Sequence, residues 1–416
     1  MISNQDLSDT EFSGCESFDT GSKTRVLRTM EELEEFRSVW NLWCKDPNAD
    51  LEYFLASARC RTDFVRPHII VVYQRGLPDC MLIGRLEHTQ ISLKIGYFNL
   101  FRPRIRRLFF LQGGLLGNAS YENCHLLAQA IKKNLKDDEA DSAEVSRLTN
   151  QSSLHAAVMT SFGFLRSGHF SPLHEHRWIE LPKSFSAFMQ GLSRKNRHEI
   201  RRHEKRLLVD FEGKTHIHCY RTESEVDNLA KEVEKICANT YQRALGVGFQ
   251  SDPENLESLR IAARGGGLRG CVLYVDEKPC SFFIGKQYKG TFYGHFMGFD
   301  PEFQKYSPGL LVLMHSIEEC FDPNMRATKF DFGWGDRQYK RAVCNQTCQD
   351  GPVYLYALSF SGLRLNVLRS FTAFLDQLSR KCLSKVGFFR KLQSAWQDKI
   401  VKTHAKAYSG QKALLN

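Results

Sequence analysis

The chain has 416 residues, of which 42% are hydrophobic and 25% are charged. This length favours two domains of ordinary size, and this composition is typical of globular proteins and excludes wholesale disorder. The net charge of +10 leaves a nucleic-acid or membrane partner open, so the position of the charges matters more than their number.

Residues 1–24 are polar and acidic, and we expect them to form a disordered leader without a secretory signal. No stretch approaches the eighteen consecutive apolar residues of a membrane-spanning helix. The thirteen cysteines include no Cys-x-x-Cys pair, so we interpret them as reduced thiols and predict no metal site. These features together predict a cytoplasmic protein.

A first folded half is predicted over residues 25–183. It opens with a helix over 30–43, in which Leu33, Phe36 and Trp40 recur at three- and four-residue spacing. The runs that follow are, in chain order, strands 68–73, 80–86 and 107–111, helix 121–135, strand 145–148, helix 154–162 and strand 177–181. Local strand pairing followed by alternation with helices predicts a mixed sheet that is covered on both faces.

Residues 184–214 are predicted to connect the halves through a long basic helix over 184–208. Its cations are Arg194, Lys195, Arg197, Arg201, Arg202, Lys205 and Arg206. They lie on several sides of the helix, which is typical of a solvated connector. The alternative is that Arg197, Arg201 or Arg202 binds a phosphate-rich donor.

A second folded half is predicted over residues 215–360, and it repeats the first in outline. Its elements are strand 215–220, helix 223–243, strands 270–275, 280–288 and 291–299, helix 308–320, strand 329–332, helix 337–343 and strand 353–358. The shared order indicates a duplication. We therefore predict an α/β fold of two tandem units, each with a mixed, mostly antiparallel sheet flanked by helices.

Residues 361–416 form a basic tail with eleven Lys and Arg against two Asp, a net charge of +9. Apolar residues recur at helical spacing, first Leu365, Leu368, Phe371, Phe374, Leu375 and Leu378, and later Phe388, Phe389, Leu392 and Trp396. Such a helix either packs on its own domain or lies on an anionic membrane surface. The second alternative would make the protein peripheral to the inner face of a membrane.

The most informative stretch joins strand 291–299 to helix 308–320 through Gln304-Lys305-Tyr306-Ser307-Pro308-Gly309. Ser307 is a favoured N-cap, Pro308 suits the first helical position, and Gly309 allows a ligand close to the opening turn. Free backbone N–H groups at such a turn suit a phosphate or pyrophosphate. The alternative is a helix start that binds nothing.

This stretch resembles the pyrophosphate loop of GNAT-superfamily acyltransferases, Gln/Arg-x-x-Gly-x-Gly/Ala, with Ser307 in place of the first glycine. Three pieces together resemble the CelD-like (BioF-type) acetyltransferase domain, which is related to Fem-type aminoacyl transferases. They are Tyr306-Ser307-Pro308-Gly309 with its apolar helix, Phe330-Asp331-Phe332-Gly333-Trp334-Gly335-Asp336, and Tyr339-Lys340.

The resemblance implies an N-acyltransferase that moves an acyl group from acyl-CoA to an amine. We expect the acyl group to be acetyl and not an aminoacyl group, and the amine to belong to a small molecule, a sugar or a peptide. The pantetheine arm would lie where strands 291–299 and 329–332 separate. The cofactor would be bound by Gln304, Lys305, Tyr306, Ser307, Gly309 and Lys340, and the first unit would not bind it. The alternatives are a Fem-type enzyme with an aminoacyl-tRNA donor and a non-catalytic, membrane-associated assembly protein of polysaccharide or envelope biosynthesis.

Acyl transfer to an amine requires an acid for the departing thiolate, and the resemblance implies that Tyr339 is this general acid. The alternative is a tyrosine that only packs a helix onto the sheet. A base must also deprotonate the amine, and His295, Asp331 and Asp336 are the candidates.

Each candidate base has a structural alternative. Strand alternation places His295 on the face opposite Phe292 and Phe296, where it could be a satisfied core residue. Asp331 lies beside a buried sheet, which would raise its pKa towards neutrality and suit a base. The structural alternative is that it pairs with Lys340 or caps a backbone group. Asp336 could instead be the N-cap of helix 337–343.

Overall fold

A computed structural model describes residues 23–95, 98–238, 248–323, 325 and 327–385. The strands of the described chain are β1 (Thr24–Leu27), β2 (Phe64–Pro67), β3 (Ile69–Gln74), β4 (Leu77–Gln90), β5 (Leu93–Ile95), β6 (Phe98–Phe101), β7 (Arg104–Gly117), β8 (Ser142–Thr149), β9 (His174–Glu180), β10 (Thr215–Tyr220), β11 (Leu268–Val275), β12 (Lys278–Tyr288), β13 (Thr291–Phe299), β14 (Lys329–Trp334) and β15 (Gln346–Tyr356).

The α-helices of the described chain are α1 (Met30–Glu35), α2 (Arg37–Trp43), α3 (Leu51–Cys60), α4 (Tyr121–Lys136), α5 (Ser153–Phe162), α6 (Phe185–Gly191), α7 (Arg194–Asp210), α8 (Val226–Cys237), α9 (Pro253–Arg264), α10 (Pro308–Glu319), α11 (Gln338–Val343) and α12 (Phe360–Lys385). Most follow the predicted order. The helices α3 and α9 were not predicted, and residue 24, the last residue of the predicted leader, is the first residue of β1.

One large sheet dominates the fold. Its strand order is β1-β3-β4-β7-β8-β15-β9-β14-β13-β12-β11-β10, with β2 paired to β4. Pairing is antiparallel except between β7 and β8 and between β13 and β14, which run parallel. The mixed, mostly antiparallel sheet is therefore confirmed.

The two halves exchange strands at the centre of this sheet. Strand β9 comes from the first half and pairs with β14 of the second, whereas β15 comes from the second half and pairs with β8 of the first. The two exchanged strands also pair with each other. The predicted segments 25–183 and 215–360 consequently share one continuous sheet.

Helices cover both faces of the sheet because successive apolar side chains of each strand point to opposite faces. In the first half, Ile131 of α4 packs in one apolar cluster and Trp40 of α2 in another. In the second half, Val312 of α10 and Val233 of α8 likewise belong to separate clusters. Each of these four apolar clusters thus holds helices of its own half against the sheet.

Two predicted helices are each divided in two. The predicted basic helix ends its first part at Gly191, because Leu192 is extended and Ser193 then caps a new helix by accepting from the Asn196 backbone N–H at 3.2 Å. The helix predicted over 30–43 is interrupted at Phe36, which separates α1 from α2. Local caps, which apolar spacing does not report, set these boundaries.

The described part of the tail is α12, which packs only partly on the rest of the chain. Leu365 is 4% exposed, whereas Phe371 is 57% exposed and Phe374 is 49% exposed. The second predicted run, Phe388 to Trp396, lies outside the described residues, as do residues 1–22 of the leader. Among the described helices, none combines the length and the apolar character that crossing a bilayer requires.

Candidate functional site

The parallel strands β13 and β14 separate after three paired residues. Thr291 to Tyr293 are in register with Lys329 to Asp331, and no register pair follows. Two cavities open beside this separation. They share three lining residues, namely Met297, Arg337 and Tyr339.

The first cavity, of about 460 Å³, lies between the two halves and is here called the interface cavity. Asn48, Gln112 and Arg147 line it from the first half, and His295, Asp331 and Trp334 are among the lining residues from the second half. The contribution of the first half was not predicted from sequence. These residues lie far from the second half in the chain, and only the exchange of strands brings them to the site.

The second cavity, of about 790 Å³, is here called the loop cavity. Gln304, Ser307 and Gly309 line one side, and Lys195, Arg202 and His203 of α7 line the other. The first turn of α10 also lines it, so its backbone N–H groups and the positive end of the helix dipole lie beside the cavity. This cavity suits an anionic ligand.

Ser307 stands at the N-cap position of α10, but its side chain does not cap the helix. Its backbone is left-handed, with φ 51° and ψ 50°, a conformation that glycine adopts most readily. The Oγ atom lies 3.4 Å from Nε2 of His203 instead. The predicted capping role is therefore wrong, because the left-handed backbone directs the hydroxyl towards α7.

Tyr306 and Lys305, two of the predicted cofactor-binding residues, contact α7 and do not line the loop cavity. The Tyr306 hydroxyl donates to Oδ2 of Asp210 at 2.7 Å, and its side chain is 3% exposed. The Lys305 ammonium lies 3.9 Å from the same carboxylate oxygen. Both side chains thus fasten the loop to α7, and the predicted cofactor contact of these two residues stays a prediction.

Lys340 was also predicted to bind the cofactor, and the structure places it at the interface cavity beside the end of β14. Its Nζ donates to the backbone carbonyls of Phe332 at 2.8 Å and Trp334 at 2.6 Å, and lies 3.4 Å from that of Gly333. Burial lowers its pKa to about 8. The ammonium protons thus hold the end of β14, and the predicted cofactor contact of Lys340 stays a prediction.

The basic helix α7 is a wall of the loop cavity and therefore more than a solvated connector. Ile200 and Leu207 are buried, and the Asn196 side chain donates to the Ala342 carbonyl of α11 at 2.9 Å. Of the three arginines considered for phosphate binding, only Arg202 lines the loop cavity. Arg197 instead donates to backbone carbonyls at the end of α6 and just beyond it, including that of Gln190 at 2.7 Å.

Tyr339 of α11 lines both cavities. Its ring packs edge-on against Phe332 with centroids 6.2 Å apart. Burial raises the pKa of its phenol to about 12, so the hydroxyl is protonated at neutral pH. A proton donor therefore lies at the junction of the two cavities.

A β-bulge at His295 sets the local geometry of β13. One extra residue on β13 lies opposite the Ile284–Gly285 step of β12. The bulge reverses the side-chain alternation, so that Phe292 stacks on Phe330 whereas Phe296 packs in a different apolar cluster. The prediction that Phe292 and Phe296 share a face is wrong for this reason.

The imidazole of His295 faces the interface cavity, and its Nε2 atom is buried without a hydrogen-bond partner among the described residues. Burial, together with the cations Lys286 and Arg147, holds its pKa well below 6.5. The ring is therefore neutral near pH 7. His295 is not the satisfied core histidine of the structural alternative.

Asp331 has a lowered pKa, in contrast to the predicted raised value. Burial alone would raise this pKa. The charged neighbours His176, whose Nε2 lies 2.6 Å away, and Lys329, whose Nζ lies 2.9 Å away, instead lower it to about 2. The carboxylate also accepts from the Gly333 backbone N–H at 2.8 Å. Asp331 is thus a firmly ionised, positioned group, and its pairing partners are His176 and Lys329 and do not include Lys340.

Asp336 lines neither of the two cavities and is not a helix cap. Its Oδ1 atom accepts from Nε of Arg341 at 2.5 Å and from Nε of Arg177 at 3.2 Å. The N-cap position of α11 is occupied by Arg337, without a side-chain capping bond. Asp336 therefore belongs to an exposed ion-pair group.

Residues 194–341 match the family model described as "Acetyltransferase (GNAT) domain". This match begins at the first residue of α7 and includes the loop at Gln304 to Gly309, β14 and Tyr339. Residues 194–341 form a GNAT-superfamily domain. The basic helix is thus part of the GNAT domain and not only a connection to it.

Solved structures resemble the chain along most of its length. FemX is 11% identical, with 77% of this chain and 95% of that chain covered and a TM-score of 0.51, and this likeness shows the fold. A tandem GNAT protein from the clavulanic acid biosynthesis pathway is 12% identical, with coverage of 81% and 99% and a TM-score of 0.47. A conserved protein of unknown function from Bacteroides thetaiotaomicron is 12% identical, with coverage of 77% and 96% and a TM-score of 0.48. Among curated proteins, no sequence matches the chain.

His176 contacts Asp331 of the candidate site, and sequence reasoning missed it. It lies on the exchanged strand β9, and its ring is held between Oδ1 of Asp331 at 2.6 Å and Oδ2 of Asp350 at 2.9 Å. Burial alone would lower the pKa of His176, but these two hydrogen bonds raise it to about 9. An imidazolium thus joins β9 to β14 and β15, and no local sequence signal identifies it.

Replacing His176 by glutamine is expected to destabilise the fold in a pH-dependent way. The shift from 6.5 to about 9 corresponds to about 3 kcal/mol of unfolding free energy. Because the folded pKa is the higher one, this contribution is complete below pH 6.5 and is lost as the pH rises through about 9. Urea denaturation at pH 6 and pH 10 measures the difference.

The matched control is His174→Gln on the same strand, since His174 has no carboxylate partner among the described residues. This control should show no such change between the two pH values. An equal loss of stability for His176→Gln at both pH values would contradict the ion-pair interpretation.

Two groups in the described chain bring metal-ligand atoms within 4.8 Å of one another. In the group of His176, Cys348 and Asp350, both ring nitrogens of the histidine already bond to carboxylates. In the second group, of Cys219, Cys271, His315 and Glu319, the two cysteines form a disulfide. Cys219 and Cys271 are therefore not the reduced thiols predicted, because β10 and β11 pair them directly across the sheet.

Proposed function

We propose that the protein is an N-acyltransferase that moves an acyl group, in the first instance acetyl, from acyl-CoA to an amine. The observation that carries this proposal is the meeting of two cavities of different chemistry at Tyr339. One cavity is basic and begins at a helix N-terminus, whereas the other is formed by both halves and contains a neutral histidine. A donor and an acceptor could thus reach one proton donor from two sides.

The loop cavity has the chemistry that the diphosphate of acyl-CoA requires. Gly309 presents the opening turn of α10 to the cavity, and Lys195 and Arg202 lie on its opposite wall. Oriented N–H groups and cations together bind phosphate oxygens by charge-assisted hydrogen bonds. The pantetheine arm would then extend towards Met297 and into the separation of β13 and β14.

The separation leaves one edge of β13 available to the donor. Register pairing with β14 ends at Tyr293, and the bulge at His295 follows immediately. Backbone groups along this edge would hydrogen-bond to the amides of the pantetheine arm and to the thioester oxygen. Such donors would stabilise the tetrahedral intermediate where its negative charge develops.

In the proposed reaction, the amine nitrogen attacks the thioester carbonyl carbon and the C–S bond breaks. The proton of the attacking nitrogen goes to Nε2 of His295, directly or through one water. The departing thiolate takes the phenolic proton of Tyr339, which regains it from solvent. Asp331 is not assigned as the base, because its carboxylate is already bonded to His176 and Lys329.

Calorimetric titration of acetyl-CoA and of free CoA into the full chain tests the proposal. We expect a Kd in the micromolar range, or about −8 kcal/mol. Binding must be measured at moderate salt, since unspecific attraction of an anion to a basic protein weakens as salt increases. Absence of binding by both ligands would contradict the acyl-CoA donor.

An aminoacyl-tRNA donor is the second candidate, and one observation favours it. Arg194, Lys195, Arg197, His198 and Arg201 of α7 line an open basic depression outside the loop cavity. A phosphate backbone would bind there with a steep salt dependence. Tight tRNA binding at low salt without any acetyl-CoA binding would support this donor over acyl-CoA.

A further inference from the structure

We propose that the acceptor amine carries an anionic group, a carboxylate or a phosphate, and that Arg147 binds it. This inference rests on the proposed acyl transfer and specifies the class of acceptor. It assigns a substrate-binding role to the first half of the chain, which supplies Arg147 from β8.

Arg147 is aimed at the site by its backbone. Strand β8 has one residue more than β15 between the register pairs Val145–Val353 and Leu148–Gly351, so Arg147 lies in a β-bulge. Its φ of 46° is left-handed, which is unfavourable for a residue with a long side chain. Such bulges redirect side chains next to functional sites, and this one turns Arg147 towards the second half.

The guanidinium stacks on Trp334 of β14, with Cζ 4.5 Å from the ring centroid. It has neither a hydrogen bond nor a carboxylate within 4.0 Å among the described residues. The arginines Arg85 and Arg107 of the first half differ, because each contacts Glu87 at 2.6 Å. A partly buried cation without an anionic partner is unfavourable unless a ligand supplies one.

The neighbouring carboxylates are already engaged. Asp331 and Asp350 share the His176 imidazolium, and Asp331 also contacts Lys329. Asp46 is partly buried, accepts from Gln112 and from Asn48, and has its pKa raised by burial. These acids attract Arg147 only from a longer range.

The stacking partner offers a second donor. Nε1 of Trp334 is buried without a hydrogen-bond partner among the described residues, and Trp334 lines the interface cavity beside Arg147. A guanidinium and an indole N–H in one cavity can together bind the oxygens of one anion. His295, the proposed base, lines the same cavity, so an acceptor would place its anion at Arg147 and its amine at His295.

The test compares acceptors in matched pairs that differ only in the anion. With acetyl-CoA as donor, CoA release is measured for amino acids and their amides, and for glucosamine and its 6-phosphate. We expect the anionic member of at least one pair to have a kcat/KM at least about 100-fold higher. A preference confined to amino acids indicates a carboxylate, and one confined to the amino sugars indicates a phosphate.

Arg147→Met should abolish that preference by lowering kcat/KM about 100-fold more for the anionic member than for the neutral member. Its acetyl-CoA affinity should be unchanged, and its melting temperature should be unchanged or higher, because an unpaired cation is removed. The matched control is Arg369→Met, which removes another arginine stacked on an aromatic ring, Tyr354, away from both cavities. This control should keep the preference.

Binding of inorganic phosphate and of acetate to the CoA-bound protein provides a readout that does not require turnover. We expect at least one of these anions to bind the unmodified chain and not Arg147→Met. Equal use of anionic and neutral amines, or anion binding that survives in Arg147→Met, would overturn the inference while leaving the acyltransferase proposal intact. Failure of acetyl-CoA itself to bind would overturn both this inference and the acyltransferase proposal. If the chain binds acetyl-CoA but shows neither turnover nor anion binding, this inference alone is overturned.

Discussion

Replacing Tyr339 by phenylalanine is expected to lower kcat by a factor of about 10² to 10⁴, the usual contribution of a positioned general acid. The Kd for acetyl-CoA should change little, because the ring still packs on Phe332 and only the hydroxyl is lost. Steady-state assays of CoA release give kcat, and calorimetry gives the Kd. A loss in kcat without a loss in affinity would identify a group that acts on the departing thiolate.

The control for this substitution is Tyr274→Phe, which removes a buried phenol that bonds to the Tyr220 hydroxyl at 2.8 Å in a different part of the sheet. It should keep full turnover. Because the pKa of Tyr339 is about 12, the unmodified enzyme should not lose activity through ionisation of this residue below pH 10. Unchanged turnover in Tyr339→Phe would remove Tyr339 from the mechanism.

Replacing Gly309 by phenylalanine is expected to reduce the affinity for acetyl-CoA and CoA at least about 100-fold. A Cβ atom at this position would lie 3.5 Å from Phe299 and 4.0 Å from Sδ of Met297, in ordinary contact. The ring beyond it would occupy the loop cavity next to the opening turn of α10. The cofactor would lose several charge-assisted hydrogen bonds, each worth about 1.5–3 kcal/mol, and calorimetry measures this loss directly.

Gly309→Ala is the matched control. Its methyl group fits in the available space, and alanine is favoured over glycine within a helix by about 0.5–1 kcal/mol. The alanine variant should therefore bind acetyl-CoA and unfold at a similar or higher temperature. Tight binding by Gly309→Phe in a folded protein would show that the cofactor does not approach this turn.

The sequence determined most of the element order and the position of the loop, because both depend on local patterns. Apolar spacing predicted the helices α4, α5 and α10, and alternation predicted β11 to β13. Pro308 and Gly309 similarly fixed the start of α10, since their backbone preferences act within one turn. The GNAT resemblance came from such short segments, and the family match over residues 194–341 agrees with it.

The roles of individual side chains were less accessible, because they depend on distant partners. Asp331 was expected to have a raised pKa from its burial, but His176 reaches it from a strand 155 residues earlier in the chain and lowers that pKa. Lys340 was predicted to bind the cofactor, and the carbonyls at the end of β14 to which its ammonium donates could not be inferred from sequence. Burial can be inferred from a strand pattern, whereas the neighbour that compensates a buried charge cannot.

Only the tertiary structure decided that both halves build the site. The exchange of β9 and β15 gives each half of the sheet a strand from the other, and it brings Arg147 against Trp334. Local sequence patterns report which face of a strand is apolar, and strands of similar composition can pair in several orders. The order is chosen by the packing of the whole sheet, so the interface cavity and the residues that line it are properties of the assembled fold.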